Sequence, residues 1–170
     1  MRKGFLILGL VAISCVKQQA HPPAGSVLSE KDLSVSKNRA KNLNEMERSQ
    51  IQSWIDNQSK KFYPMGLNYW TDIENLKQKS QKQNGEPVSY SYDIYDFNMV
   101  KLYQKPYGRH LGTLGKFEEL KAVDDAIRYM QPGEEATLLV PSVLAYGTYG
   151  DNDKISNDMP LIIKLKMPNP

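Results

Sequence analysis

The chain has 170 residues, of which 24% are charged and 40% hydrophobic, with a formal charge of +3. That length holds one ordinary domain plus a smaller element. The mixed composition predicts a soluble globular body. It excludes the clustered basic face that nucleic-acid binding needs, and the lysine-rich stretch Lys77 to Lys82 reads as a solvated loop.

The N-terminus carries its own signal. Arg2 and Lys3 precede the short apolar run GFLILGLVAIS, which falls well below the ~18 apolar residues of a spanning helix. Ala12, Ile13 and Ser14 then lead into Cys15, the only cysteine, in a pattern that resembles a bacterial lipobox. Leucine is commoner at the place of Ala12. The expectation is a signal peptide over residues 1–15 ending on a lipidated Cys15. A lone cysteine cannot form an internal disulfide, and multiple acyl chains would hold the protein stably at a membrane.

From Val16 to about Ser36 the composition is polar, with Pro22, Pro23 and Gly25, and reads as a tether. A helical stripe follows to about Ser59, with Leu43, Met46, Ile51, Trp54 and Ile55 on one side. A stripe this narrow could dock on the domain or on another copy, with docking in cis or simple spacing favoured over a specific partner site. Tether and amphipathic helix together occupy residues 16–60, and a domain over residues 61–170 follows.

Within that domain KFYPM and LNYWTDI, separated by Gly66, predict a strand pair. ENLKQKSQKQNGEP is a loop. VSYSYDI alternates, placing Val88, Tyr90, Tyr92 and Ile94 on one face of a strand, and Asn98 supplies a turn into a further strand over Val100 to Tyr103. Phe117, Leu120, Val123, Ile127 and Met130 recur at helical spacing until Pro132 and Gly133 stop the run. Ala136, Leu138 and Val140 share a strand face, and the last strand turns Leu161, Ile163 and Leu165 inward with Lys164 and Lys166 outward. The fold class is α+β, an antiparallel sheet curled around one short helix. His21 and His110 are the only histidines, so no metal-ligand cluster and no cofactor is expected.

Two stretches are more specific. TLGKFEELKAVDDAIRYMQPGEEATLLVPSVLAYGTYG and KISNDMPLIIKLKM resemble the FKBP-type peptidyl-prolyl isomerases in their leucine-glycine turn, short helix, Ala-Tyr-Gly loop and closing isoleucine and strand. With the lipobox and N-terminal helix, the chain is most similar to the gliding-motility-associated isomerase lipoproteins. The resemblance implies an apolar pocket between sheet and helix, with the Tyr146 hydroxyl bonding a bound peptide. The N–H of Leu120 would bind a substrate carbonyl. It assigns Tyr92, Tyr103, Leu120 and Tyr146 to catalysis, and Leu102, His110, Val123, Ile155 and Ile163 to substrate binding. Leu102 and Ile163 stand where the family has phenylalanines, Val123 where a tryptophan often forms the floor, and Tyr103 where it has an aspartate. A less aromatic pocket and weak activity are the expectation. The implied function is a membrane-anchored, periplasm-facing prolyl isomerase that assists proline-containing clients of the envelope or motility machinery. The alternative is a non-catalytic binding module with the same fold.

Overall fold

The computed structural model describes residues 29–169. The expected signal peptide, Cys15 and most of the tether lie outside the described residues. The first element is helix α1, Glu30–Asp56. It begins within the stretch expected to be tether, because Ser29 caps it: the Ser29 hydroxyl oxygen accepts from the backbone N–H of Asp32 at 3.2 Å. Such a cap satisfies a first-turn donor that has no partner within the helix.

The paired strands predicted from KFYPM and LNYWTDI are short, β1 (Tyr63–Pro64) and β2 (Trp70–Thr71). Then come β3 (Pro87–Tyr95), β4 (Tyr107–Thr113), helix α2 (Lys121–Tyr129), β5 (Glu135–Val140) and β6 (Leu161–Lys166). The six strands form one antiparallel sheet in the order β1-β2-β5-β6-β3-β4. The expected alternation of β3 is present, with Val88, Tyr90, Tyr92 and Ile94 all buried.

One expected strand is corrected. Val100 to Tyr103 makes only an isolated bridge, Lys101 to Tyr95, and the next strand to pair with β3 is β4, on the edge opposite β6. Strand β4 is an exposed edge with no apolar alternation, so periodicity does not reveal it. Gly108 fixes its approach: at φ +140° a Cβ would lie 2.2 Å from the carbonyl oxygen of Tyr90.

Helix α2 fills the concave side of the sheet. Ala122, Val123, Ala126 and Ile127 are fully buried there, in one cluster with Leu138, Val140, Ile163 and Leu165. The opposite side is also covered. Ile51 of α1 packs with Trp70, Leu139 and Ile162, and Trp54 and Ile55 lie against that cluster. Trp54 meets Phe62 and Phe97 edge-on, with ring centroids 5.6 and 6.1 Å apart. The stripe read from Ile51, Trp54 and Ile55 therefore docks in cis, whereas Met46 stays exposed.

Candidate functional site

Tyr92 on β3, Leu120 at the start of α2 and Tyr146 in the loop after β5 line one cleft of about 540 Å³. Tyr107, Gly108 and Arg109 of β4 close one side, and Glu118 and Glu119 the other. The loop runs out of β5 through a short 3-10 turn, Ser142–Leu144, to Ala145 and Tyr146.

The cleft is more polar than the sequence suggested, and its centre is a residue that no expectation named. Glu119 accepts from the Tyr92 hydroxyl at 2.7 Å and the Tyr90 hydroxyl at 2.8 Å. The same oxygen that meets Tyr92 also accepts the backbone N–H of Leu120, at 2.9 Å. This contact shapes the helix start. Leu120 stays extended, at φ −56° and ψ 130°, and α2 begins one residue later rather than at Phe117. Glu119 sits off the apolar stripe, so periodicity is silent about it. A carboxylate just before a helix N-terminus, where negative charge is favoured, was the available signal.

The tyrosines form a continuous wall. Tyr92 stacks on Tyr90 at 6.4 Å and on Tyr107 at 5.5 Å, and Tyr103 meets Tyr107 edge-on at 5.5 Å. Tyr107, absent from the sequence expectations, thus supplies the aromatic surface that Leu102 and Val123 lack. The Tyr103 hydroxyl donates to the carboxylate of Asp151, on the same loop as Tyr146. Lys154 donates to the Leu102 carbonyl at 2.7 Å, tying Leu102 and Tyr103 to that loop.

The other expected binding residues fall into two groups. Val123, Ile155 and Ile163 are buried at 0%, 2% and 0% exposure, in the same core cluster as Tyr92, and none of them lines the cleft. His110 is not brought to the cleft. It is exposed on β4 and lines a separate recess with Val88, Leu111 and Met167, because it lies beyond Arg109 on a strand running away from Tyr92.

Burial, reinforced by Tyr107 and by the charges of Asp151 and Glu119, pushes the Tyr146 phenol up to about 12. Burial also raises the phenols of Tyr90 and Tyr92, with Glu119 adding to the effect. Partial burial pushes the Asp151 carboxyl up. The Tyr103 hydroxyl and the N–H groups of Asp153, Ile155 and Lys154 outweigh that and leave it below its ordinary value. At neutral pH the phenols around the cleft therefore stay protonated, with Asp151 ionised beside them. Among the described residues no group of three or more His, Cys, Asp or Glu side chains is placed to hold a metal.

Residues 78–167 match the family model described as FKBP-type peptidyl-prolyl cis-trans isomerase. The chain belongs to that family. It is a peptidyl-prolyl cis-trans isomerase, and proline-containing polypeptides are its substrate class. Two solved structures share the fold. The N-terminal domain of FKBP42 from Arabidopsis thaliana is 19% identical with a TM-score of 0.53, the match covering 66% of this chain and 94% of that one. A peptidyl-prolyl cis-trans isomerase from Pseudomonas syringae pv. tomato is 16% identical with a TM-score of 0.53, covering 75% and 92% respectively. Among curated proteins there is no match.

The phenols set an alkaline limit on the isomerase fold. A tyrosine unfolded titrates near ~10, and Tyr146 folded near about 12. The folded state thus holds the proton more tightly, so this contribution is complete below pH ~10 and is lost as pH rises through the folded value. Melting temperatures measured from pH 8 to 12 should be level at first and fall above about 10. A curve level to pH 12 would remove the phenols from the stability of the fold.

Proposed function

We propose that this isomerase turns over X-Pro bonds in the cleft between Tyr92, Leu120 and Tyr146, on client proteins met at a membrane surface. What supports the reading is the convergence of a protonated phenol, a helix-start N–H and an aromatic wall in one cleft. Rotation about a prolyl bond faces a barrier of ~18–20 kcal/mol because amide resonance must be lost. The twisted amide is less charge-separated than the planar one, so the ring faces of Tyr92 and Tyr107 and the Leu120 side chain hold it better, while the Tyr146 hydroxyl can orient a substrate carbonyl. Each ~1.4 kcal/mol of preference for the twisted state is worth about tenfold in rate. That chemistry needs no nucleophile.

Tyr146→Phe removes one hydroxyl and little volume, so the fold should survive. Losing a neutral hydrogen bond costs ~0.5–1.5 kcal/mol, and kcat/KM on a proline tetrapeptide should drop by several-fold, within about tenfold. The same rate for variant and active wild type would exclude Tyr146 from the mechanism.

Glu119 bears on the second donor. Its carboxylate already holds the Leu120 N–H, so a peptide carbonyl must displace it to reach that group. Glu119→Ala should lower KM for a proline peptide, by up to roughly tenfold if one such bond no longer has to be exchanged. A KM that stays the same or rises, in a variant whose melting temperature and amide exchange over residues 119–124 match wild type, would mean that the Leu120 N–H does not bind substrate.

The membrane placement rests on the lipobox-like AISC at residues 12–15 and the short apolar run before it. Lipidation of Cys15, a periplasm-facing anchor and service to envelope or gliding-motility clients are part of this proposal. Cys15→Ala should shift the protein out of the detergent phase and abolish an acyl mass on the mature N-terminus. Equal partitioning of both forms, with no acyl mass on wild type, rules the anchor out.

A further inference from the structure

Glu47 is a buried carboxylate that the isomerase chemistry does not use. It lies on α1, on the sheet face opposite the cleft's helix, at 4% exposure. Its carboxylate accepts the backbone N–H of Ser142 at 2.8 Å and the Ser142 hydroxyl at 2.6 Å. Ser142 is itself 2% exposed and opens the 3-10 turn that delivers Ala145 and Tyr146.

An apolar residue would dock α1 without the cost of burying a charge. The carboxylate gains what an apolar residue cannot: two bonds to a single residue of the site loop. A second contact from the same helix meets the loop's other end. Arg39, about 12 Å further up α1, bonds Asp158 at 2.7 Å. The N–H of Asp158 in turn donates to the carbonyl of Gly147 at 2.9 Å, the residue after Tyr146. The helix thus holds the loop on both sides of the tyrosine.

We propose that Glu47 is a positioning residue of this isomerase, acting through Ser142, with Arg39 and Asp158 as the second point of hold, so that α1 fixes the loop that carries Tyr146. The catalytic part of this inference rests on the role proposed for Tyr146. Helix α1 is then part of the working enzyme and not only a spacer. Any event that lifts it from the sheet would loosen the loop.

The test compares two ends of one helix in the full chain. Glu47→Ala removes the hold on Ser142. Glu47→Gln keeps an acceptor for the Ser142 N–H and offers a donor to its hydroxyl oxygen. Trp54→Ala weakens α1 at Phe62 and Phe97, away from the loop. All are assayed well below melting, with amide exchange followed over residues 142–150. Glu47→Ala should speed exchange there and lower kcat/KM by several-fold, up to roughly tenfold, from misplacement of the tyrosine. Glu47→Gln should restore both, and Trp54→Ala should lower the melting temperature while changing neither. Equal loop exchange in Glu47→Ala and wild type overturns the proposal, as does an equal rise in Trp54→Ala. Faster exchange with unchanged catalysis upholds the hold on the loop and overturns the role given to Tyr146. Should Glu47→Ala not fold, Ser142→Ala, which deletes only the hydroxyl contact, carries the same comparison, and unchanged exchange in it counts against the proposal.

Discussion

The two central strands of the sheet, β5 and β6, are buried on both faces where residues 138–140 pair with residues 161–163, and the rest of the molecule is arranged around that constraint. Leu138 and Ile163, paired across the strands, turn toward α2. Leu139 and Ile162, the next pair, turn toward α1. Burying a Leu or Ile side chain is worth about 1.5–3 kcal/mol, and all four are completely buried. Neither helix alone could cover this pair of strands. Helix α2 does so from the concave side and opens the cleft at its N-terminus. Helix α1 does so from the convex side and thereby comes within reach of the loop leaving β5.

The cleft that results gets its electrostatics from placement, without any metal ligand set among the described residues. One carboxylate, Glu119, gathers two phenols and a helix-start N–H. A second, Asp151, accepts Tyr103 and two N–H groups of its own loop, at 3.0 and 2.9 Å. Both are satisfied acceptors, which is the condition under which partly buried charge is tolerated. The tyrosine wall between them keeps its protons at neutral pH. Such a surface discriminates by shape and hydrogen bonding, as rotation about an amide requires, since no bond to carbon is made or broken.

Much of this was legible in the sequence where a single face is buried. The alternation of Val88, Tyr90, Tyr92 and Ile94, the stripe from Val123 to Ile127 and the Ala-Tyr-Gly loop all map onto the described elements. What escaped has physical causes. The runs LLV and LII are the mark of strands buried on both sides, but a period of two assigns Leu139 and Ile162 to solvent. Strand β4 is an exposed edge, so it carries no burial pattern at all. Its residues, Tyr107 and Arg109, were missed with it. His110, assigned to the cleft by analogy, follows the pleat to a different recess. Glu119 and Glu47 escaped because each is a charge whose partner is brought in by tertiary structure. For Glu47 that partner is 95 residues away.

The loop from Pro141 to Pro160 is held at several points, although it is long and polar. Besides the contacts from α1, it is tied by Tyr103 to Asp151 and by Lys154 to the carbonyl of Leu102. It also closes on itself. At Gly150, with φ +64°, a Cβ would lie 2.0 Å from the carbonyl oxygen of Ile155, and the Asp151 N–H donates to that same oxygen at 3.1 Å. Only glycine fits such an approach. A loop this constrained loses little further entropy on binding a peptide, so more of the contact energy is left to favour the twisted amide. With Val123 and Leu102 away from the cleft lining, those ties to the loop are what fix the position of Tyr146 beside Tyr92 and Tyr107.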